Sequence, residues 1–261
     1  MKEDLNIFAF SAIVAVGVQV LGCIPAILLQ TEKFFDLFGS IGFISTTLAS
    51  LAWFGFGDLC ARQWLASAAV LLWTLRLGAF LFWRVHHFGG DTRFVEMRSQ
   101  PGKFAFVWFL QAVWVYVNLL PLITLLSADA CSDYGEPTDY IGLVVFVLGI
   151  SLEVVADVQK SRFKLDERNR GSFINTGVWS RCRHPNYVGE VMLWVGQFLM
   201  CCADFEGAQW TSVLSPVFTF LLLRFVSGVP LLAEKAQERW GNDPAFQEYL
   251  QNTHAMWFKL C

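Results

Sequence analysis

The chain has 261 residues, of which 55% are hydrophobic and 16% charged, with eleven Trp, twenty-five Phe and a formal net charge of −3. That balance is too apolar for an ordinary soluble domain, and no nucleic-acid partner is expected of it. It describes an all-α, polytopic membrane protein.

Seven apolar runs approach the roughly 20 residues that cross a bilayer as a helix. The first, Ile7 to Leu29, is too long for a signal-peptide core and lacks a basic leader followed by a small-residue cleavage site, so it reads as a retained span. Leu37 to Phe56, Trp64 to Trp83, Phe104 to Ser127, Tyr140 to about Gln159, Asn186 to Ala203 and Trp210 to Ala233 follow. Trp240 to Tyr249 reads as a short amphipathic segment lying on the membrane, anchored by its aromatic residues. No piece between the runs is long enough for a soluble domain, so residues 1–261 read as a single membrane domain.

Translocated loops exclude Lys and Arg, and the basic residues here fall on alternate connections. Lys33 lies between spans one and two, four basic residues between three and four, seven between five and six, and three in the tail. The opposite loop, Asp129 to Asp139, holds four acids and no base, and the loop between spans six and seven carries Asp204 and Glu206. The expected topology places the N-terminus outside and the C-terminus in the cytoplasm. The cysteines, including the terminal Cys261, show no C-x-x-C spacing, so no disulfide framework is expected. Nor is a metal: His86 and His87 are adjacent and diverge on any regular backbone. A glycine-rich phosphate loop is also missing, since the stretch at Gly55, "GFGDLC", lacks a third glycine and follows no strand.

Arg76, Glu153, Asp157, Glu190 and Arg224 fall inside spans, where a charge costs about 2.5 to 3.5 kcal/mol and persists mainly beside a partner or a cavity. Glu153, Asp157, Lys160 and Lys164 share one face of span five, and Asn186, Glu190, Trp194 and Gln197 one face of span six. Weaker stripes run along Gln111, Trp114 and Asn118 on span four and along Arg76, Phe80, Trp83 and His87 on span three. Together they can line a cavity with a polar cytoplasmic mouth and an aromatic interior. Arg162, Lys164, Arg168, Arg170, Arg181 and Arg183 crowd the connection between spans five and six. Guanidinium forks suit phosphate oxygens, as in a nucleotide, and they equally suit anionic lipid headgroups. Pro185 favours a helix start near Asn186, whose free N–H groups face the cytoplasm beside those arginines and form an anion cradle.

"GVWSRCRHPNYVGEVMLWVG" resembles the C-terminal signature of the steroid 5α-reductase superfamily, especially its branch of small membrane proteins catalogued as a domain of unknown function. "TEKFFDLFGSIGFIS", "TLRLGAFLFWR", "EVVADVQKSRFK" and "FQEYLQNTHAMWF" extend the resemblance over about residues 30–260, strongest at 150–200. It implies NADPH as cofactor, bound from the cytoplasmic side, and reduction of a carbon–carbon double bond in a steroid, sterol, polyprenoid or enoyl lipid that enters from the bilayer. By that likeness Asp157, Lys160, Lys164, Trp179, Arg183, His184, Asn186, Tyr187, Glu190 and Tyr249 fall at cofactor-binding positions, with Tyr249 closing over the cofactor. Steroid-reducing relatives polarise a ketone with a carboxylate on span two and a tyrosine on span three. Here span two offers Asp36 near its start and span three has no tyrosine, so Asp36 and Arg76 are the substrate-side candidates. Tyr187, Arg76 or His87 can donate to a developing enolate. Two rival readings are a membrane methyltransferase of the isoprenylcysteine type, which shares an Arg-His-Pro-x-Tyr-x-Gly core but binds S-adenosylmethionine, and a non-catalytic membrane protein of this fold. The resemblance implies the endoplasmic reticulum for a eukaryotic protein and the inner membrane for a bacterial one.

Overall fold

Most helices begin where a proline, a capping side chain or a glycine turn releases the backbone from the preceding connection; those that open at Phe35 and Leu214 start without such a signal. A computed structural model describes residues 6–89, 94, 97–128 and 131–258; Asp129 and Cys261, named above, lie outside the described residues. Nine α-helices occur among the described residues: α1 (Ile7–Leu28), α2 (Phe35–Phe54), α3 (Ala61–Phe88), α4 (Pro101–Leu126), α5 (Pro137–Leu165), α6 (Pro185–Cys201), α7 (Leu214–Leu221), α8 (Val229–Trp240) and α9 (Pro244–Asn252). Asn6 caps α1 through the Ala9 amide at 2.8 Å, and the Gln63 side chain caps α3 by accepting from the Cys60 amide at 3.0 Å. Helices α4, α5, α6 and α9 each start on proline, whose missing N–H costs nothing in the first turn.

Six helical stretches are long and apolar enough to cross a membrane: α1 to α5, and Gly207–Trp240 taken as one 34-residue run. Helix α6 has 17 residues and continues as a 3₁₀ turn, Cys202–Asp204. The chain is therefore a multi-pass membrane protein built as a helical bundle. All seven apolar runs are helical, but the last is not continuous. It opens as a 3₁₀ segment, Gly207–Val213, passes through α7 into a π turn at Leu222–Val226, and breaks at Gly228 before α8. The surface segment expected from Trp240 to Tyr249 is also divided. Asp243 accepts from the Ala245 amide at 2.9 Å and Pro244 occupies the first position of α9, so a new helix starts inside it.

The contacts divide into two units, Met1–Tyr140 with Gln197–Ser215, and Ile141–Gly196 with Pro216–Cys261. In the first, Phe43 meets Trp73 and Trp114 edge-on at 5.0 and 4.8 Å, while Phe35 and Phe38 pack on Trp108. Side-chain amides tie the backbones across this core: Gln19 donates to the Phe38 carbonyl and Gln111 to that of Phe35. Gln197, expected on a cavity stripe, is instead fully buried and donates to the Ala66 carbonyl at 3.1 Å.

One end of this unit is locked by a group the sequence reading passed over. Arg62, 1% exposed at the start of α3, holds the fully buried Asp139 carboxylate bidentately at 2.7 and 3.0 Å and also reaches Asp204 and Ser132. Asp139 in turn accepts from the amides of Gly135 and Glu136. Beside this lock Cys60 and Cys131 form a disulfide, a single bond where no disulfide framework was expected. Their 71-residue separation carries no spacing pattern to read, yet the two connections close on each other in space. The bond keeps the α2–α3 and α4–α5 connections on one side of the membrane, in agreement with the charge pattern.

In the second unit the backbones of α5 and α6 touch. A Cβ added at Gly149 would lie 2.5 Å from the Leu193 nitrogen, and one at Gly189 would lie 2.7 Å from the Gly149 carbonyl oxygen and 2.8 Å from the Glu153 nitrogen. Gly196 meets Phe146 and the Gly142 carbonyl in the same way. Small residues seven apart on each helix thus let the polar face of α5 lie directly along that of α6.

Candidate functional site

The second unit assembles most of the expected residues from four segments: the C-terminal half of α5, the connection before α6, the first turns of α6, and the α9 tail. On α5, Glu153 and Asp157 are 3% and 8% exposed, Lys160 is half-buried, and Lys164 is exposed at the helix end. Gly177, at φ +61°, turns the connection back onto α5, where a side chain would collide with Gln159. Gln159 accepts from the Val178 amide at 3.0 Å, and the buried Trp179 indole donates to the Ala156 carbonyl at 3.1 Å. Lys160 then sits with its Nζ 4.6 Å from the centre of the Trp179 ring.

A second set of bonds binds this connection to the tail. The Tyr249 hydroxyl donates to the Trp179 carbonyl at 2.7 Å, the Arg183 amide donates to the His254 carbonyl at 3.0 Å, and Cys182 pairs with His254 in a single parallel bridge. Phe173 packs against Tyr249 and Phe246, and the Trp240 indole donates to the Gly171 carbonyl. The hydroxyl of Tyr249 is therefore spent on holding the motif in place. Thr253 and His254 belong to the same brace and carried no signal in the sequence, because their contribution is made by backbone or by a local hydroxyl bond.

Around the α6 start, His184 and Tyr187 stack at 5.2 Å with ring planes 14° apart, and the His184 carbonyl accepts from the Tyr187 and Val188 amides. Tyr187 is pressed under Gly228, where a Cβ would come within 2.9 Å of its ring, and packs with Val188 and Val191 on Leu223, Val229 and Met256. Burial, reinforced by the charges of Lys160, Arg183 and Arg224, lowers the His184 pKa to about 3, so the imidazole is neutral at physiological pH. Burial likewise pulls the Arg183 guanidinium below its usual range; Tyr249 and Cys182 oppose this and Arg224 adds to it.

Three polar atoms in this one turn are buried and have no hydrogen-bond partner: Arg183 Nε, His184 Nδ1 and Asn186 Oδ1. Each such atom costs about 1–3 kcal/mol, so three within four residues make this turn a candidate binding place. The donor and acceptor types fit an anion that also carries hydroxyl or amide groups. Glu190, half-buried one turn further into α6, adds a carboxylate on the same face. The other basic residues of the connection separate from this set. Arg162, Arg168, Arg170 and Arg181 are exposed, and Arg168 pairs with Asp166 at 2.6 Å.

Asp36 and Arg76 belong to the first unit. Asp36, in the first turn of α2, accepts from Arg84 at 3.0 Å, and Arg76 is half-buried on α3, eight residues before Arg84 on the same face. His87 donates to the Trp83 carbonyl at 3.0 Å and is exposed. Arg224, which acts electrostatically on Arg183 and His184, was not among the expected cofactor residues. It was visible as a charge within a span, but the π turn that presents it was not.

Two curated relatives resemble the chain. Over 74 residues, 27% of this chain and 26% of the relative, it is 34% identical to a protein of Ustilaginoidea virens named probable O-methyltransferase ustE. Over 213 residues, 70% of this chain and 60% of the relative, it is 26% identical to uncharacterized protein C594.04c of Schizosaccharomyces pombe. The chain thus spans about a quarter of the first relative's length and 60% of the second's. No solved structure matches it. Residues 24–253, nearly the whole bundle and all but the last residues of the assembled site, match one family along their length, and the chain belongs to that family, described as protein of unknown function (DUF1295).

Proposed function

We propose that the chain is a membrane enzyme that modifies a lipid, and specifically an NADPH-dependent reductase of a carbon–carbon double bond in a bilayer-dissolved substrate. The observation that carries this reading is the trio of buried, unpartnered polar atoms on Arg183, His184 and Asn186, lying within the field of Lys160 and Arg224. The resemblance of the surrounding motif to the steroid 5α-reductase superfamily supports the choice of NADPH. Bound there, NADPH would supply a hydride to one alkene carbon while a proton adds to its neighbour, leaving NADP⁺ and the saturated lipid.

The chain's own part is binding and orientation. Lys160 and Arg183 meet the phosphates, Asn186 and Glu190 accept hydrogen bonds from ribose hydroxyls or the carboxamide, and Asp157 and Lys164 complete the polar face of α5. Trp179 forms the floor beneath Lys160, and Tyr249 holds that floor in place. Neutral His184 fixes the plane of Tyr187 by stacking, and Tyr187 is the phenol we assign to donate toward the developing charge on the substrate. Asp36 and Arg76 remain the substrate-side candidates, with Asp36 oriented by Arg84.

A second reading has its own support: the relative over 74 residues is named a probable O-methyltransferase, which favours S-adenosylmethionine in the same turn. Thermal melting of the purified protein in detergent separates the two. We expect stabilisation by NADPH and none by S-adenosylmethionine, with Arg183→Ala and Glu190→Gln each weakening NADPH binding while expression is retained. Stabilisation by S-adenosylmethionine alone would transfer the site to the methyltransferase reading. Silence with both ligands would favour a non-catalytic membrane protein.

A further inference from the structure

The last apolar run carries a basic residue at a place where a membrane helix has no use for one. Arg224 lies in the π turn Leu222–Val226, between α7 and the Gly228 break. A π turn inserts a residue into the helical ladder, shifts the side chains that follow, and is frequent at functional sites. The turn is fastened directly to the first turn of α6. Leu223 and Val229, on either side of Arg224, pack with Tyr187, Val188 and Val191, and Gly228 allows the chain to pass against the Tyr187 ring. The aliphatic stem is steadied by Phe225, with the guanidinium carbon 5.2 Å from the ring centre.

We propose that Arg224 is a third cationic contact for the phosphorylated part of the ligand, so that Lys160, Arg183 and Arg224, delivered by three separate segments, enclose a polyanion. This rests on the reading of the site as a nucleotide site and extends it to a residue outside the motif. Arg224 acts electrostatically on both Arg183 and His184, and Lys160 and Arg183 act on His184 in the same sense. Repulsion among these cations in a partly buried turn is relieved when an anion enters. A pyrophosphate with a further monoester phosphate carries about −3.5 or more, which matches three cations, whereas a sulfonium ligand adds another positive charge.

The test is calorimetric titration of the full-length protein in detergent with NADPH, and separately with S-adenosylmethionine. NADPH binding by the wild type checks the nucleotide reading, and its failure would overturn both proposals. Given that binding, Arg224→Gln should weaken NADPH affinity about ten- to a hundredfold, the loss expected for one charge-assisted contact to phosphate. The variant should also lose part of the salt dependence shown by the wild type. Arg224→Lys, which keeps the charge and the stem, should stay within about threefold of wild type. Affinity within twofold of wild type in Arg224→Gln would overturn the role of Arg224 and leave the nucleotide reading standing. An equal loss in Arg224→Lys and Arg224→Gln would assign the effect to packing of the π turn and overturn it as well. Should Arg224→Gln not fold, Arg224→Met, which keeps an unbranched stem and removes the charge, takes its place with the same expected loss and the same refuting result.

Discussion

Gly189→Ala should drive α5 and α6 apart, and the size of the effect can be worked from the contact. The new Cβ would lie 2.7 Å from the Gly149 carbonyl oxygen, 2.8 Å from the Glu153 nitrogen and 3.0 Å from the Glu153 Cβ. Ordinary contact begins at 3.4 Å, so 3.4 against 2.7 Å leaves a shortfall of about 0.7 Å that no rotamer change relieves, because the nearest obstacles are backbone. Overpacking of this kind costs about 1–3 kcal/mol, which for a chain of this size lowers the melting temperature by about 2–12 °C. Separation also moves Asn186 and Glu190 away from Glu153 and Asp157, so NADPH affinity should fall with stability. Gly17→Ala is the control, since nothing lies within 4 Å of a Cβ there and the helix gains up to about 1 kcal/mol in propensity. The measurement is a thermal melt of both variants in one detergent, followed by titration. A melting temperature for Gly189→Ala at or above that of wild type would show that the two helices are not in backbone contact, and the reasoning would be refuted.

Arg62→Ala strands Asp139 as a buried, unpaired carboxylate, which should cost about 3–5 kcal/mol and be visible as a large drop in melting temperature; a change under about 1 kcal/mol would mean the lock is dispensable. The pH dependence of stability should carry a His184 signature. With a folded pKa of about 3 against 6.5 unfolded, the unfolded chain binds a proton between those values that the folded protein does not, so stability declines as pH falls below 6.5. At pH 5 the decline approaches about 2 kcal/mol, and His184→Gln should flatten the melting profile between pH 7 and 5; parallel profiles for variant and wild type would contradict a buried neutral imidazole. Tyr249→Phe leaves the Trp179 carbonyl without its donor and should lower stability by about 1 kcal/mol with weaker NADPH binding, checked by the same melt and titration. Unchanged affinity would separate the tail brace from the site.

Much of the scaffold was legible because lipid imposes a coarse rule. A spanning helix must be long and apolar, and the expected runs from Ile7, Leu37, Trp64, Phe104, Tyr140 and Asn186 all fall within or nearly within observed helices. The seventh run failed as a continuous rod because a hydropathy window averages across Gly228 and cannot register a one-residue insertion such as the π turn. Residues of the His-Pro-Asn-Tyr motif were legible for a local reason: Pro185 fixes the helix start, and the next turns then set which side chains share a face. What was not legible depends on distant partners. Cys60 and Cys131 announce nothing by spacing, Arg62 lies at a helix start where a basic residue looks solvated, and Asp139 and Asp204 looked like ordinary loop acids. Gly142, Gly149, Gly189 and Gly196 show their seven-residue interval in the sequence, but only the approach of the two helices gives that interval a meaning.

The cross-link between Cys60 and Cys131 also dates the steps of biosynthesis. Thiols exposed to the reducing cytosol do not stay paired, so with the topology expected from the charge pattern oxidation has to wait until both connections have been carried across the bilayer. Closure therefore follows insertion of α2 through α4, and a nascent polypeptide threaded in the wrong sense keeps two free thiols. Electrophoretic mobility with and without reductant consequently reports whether newly made chains have been threaded correctly.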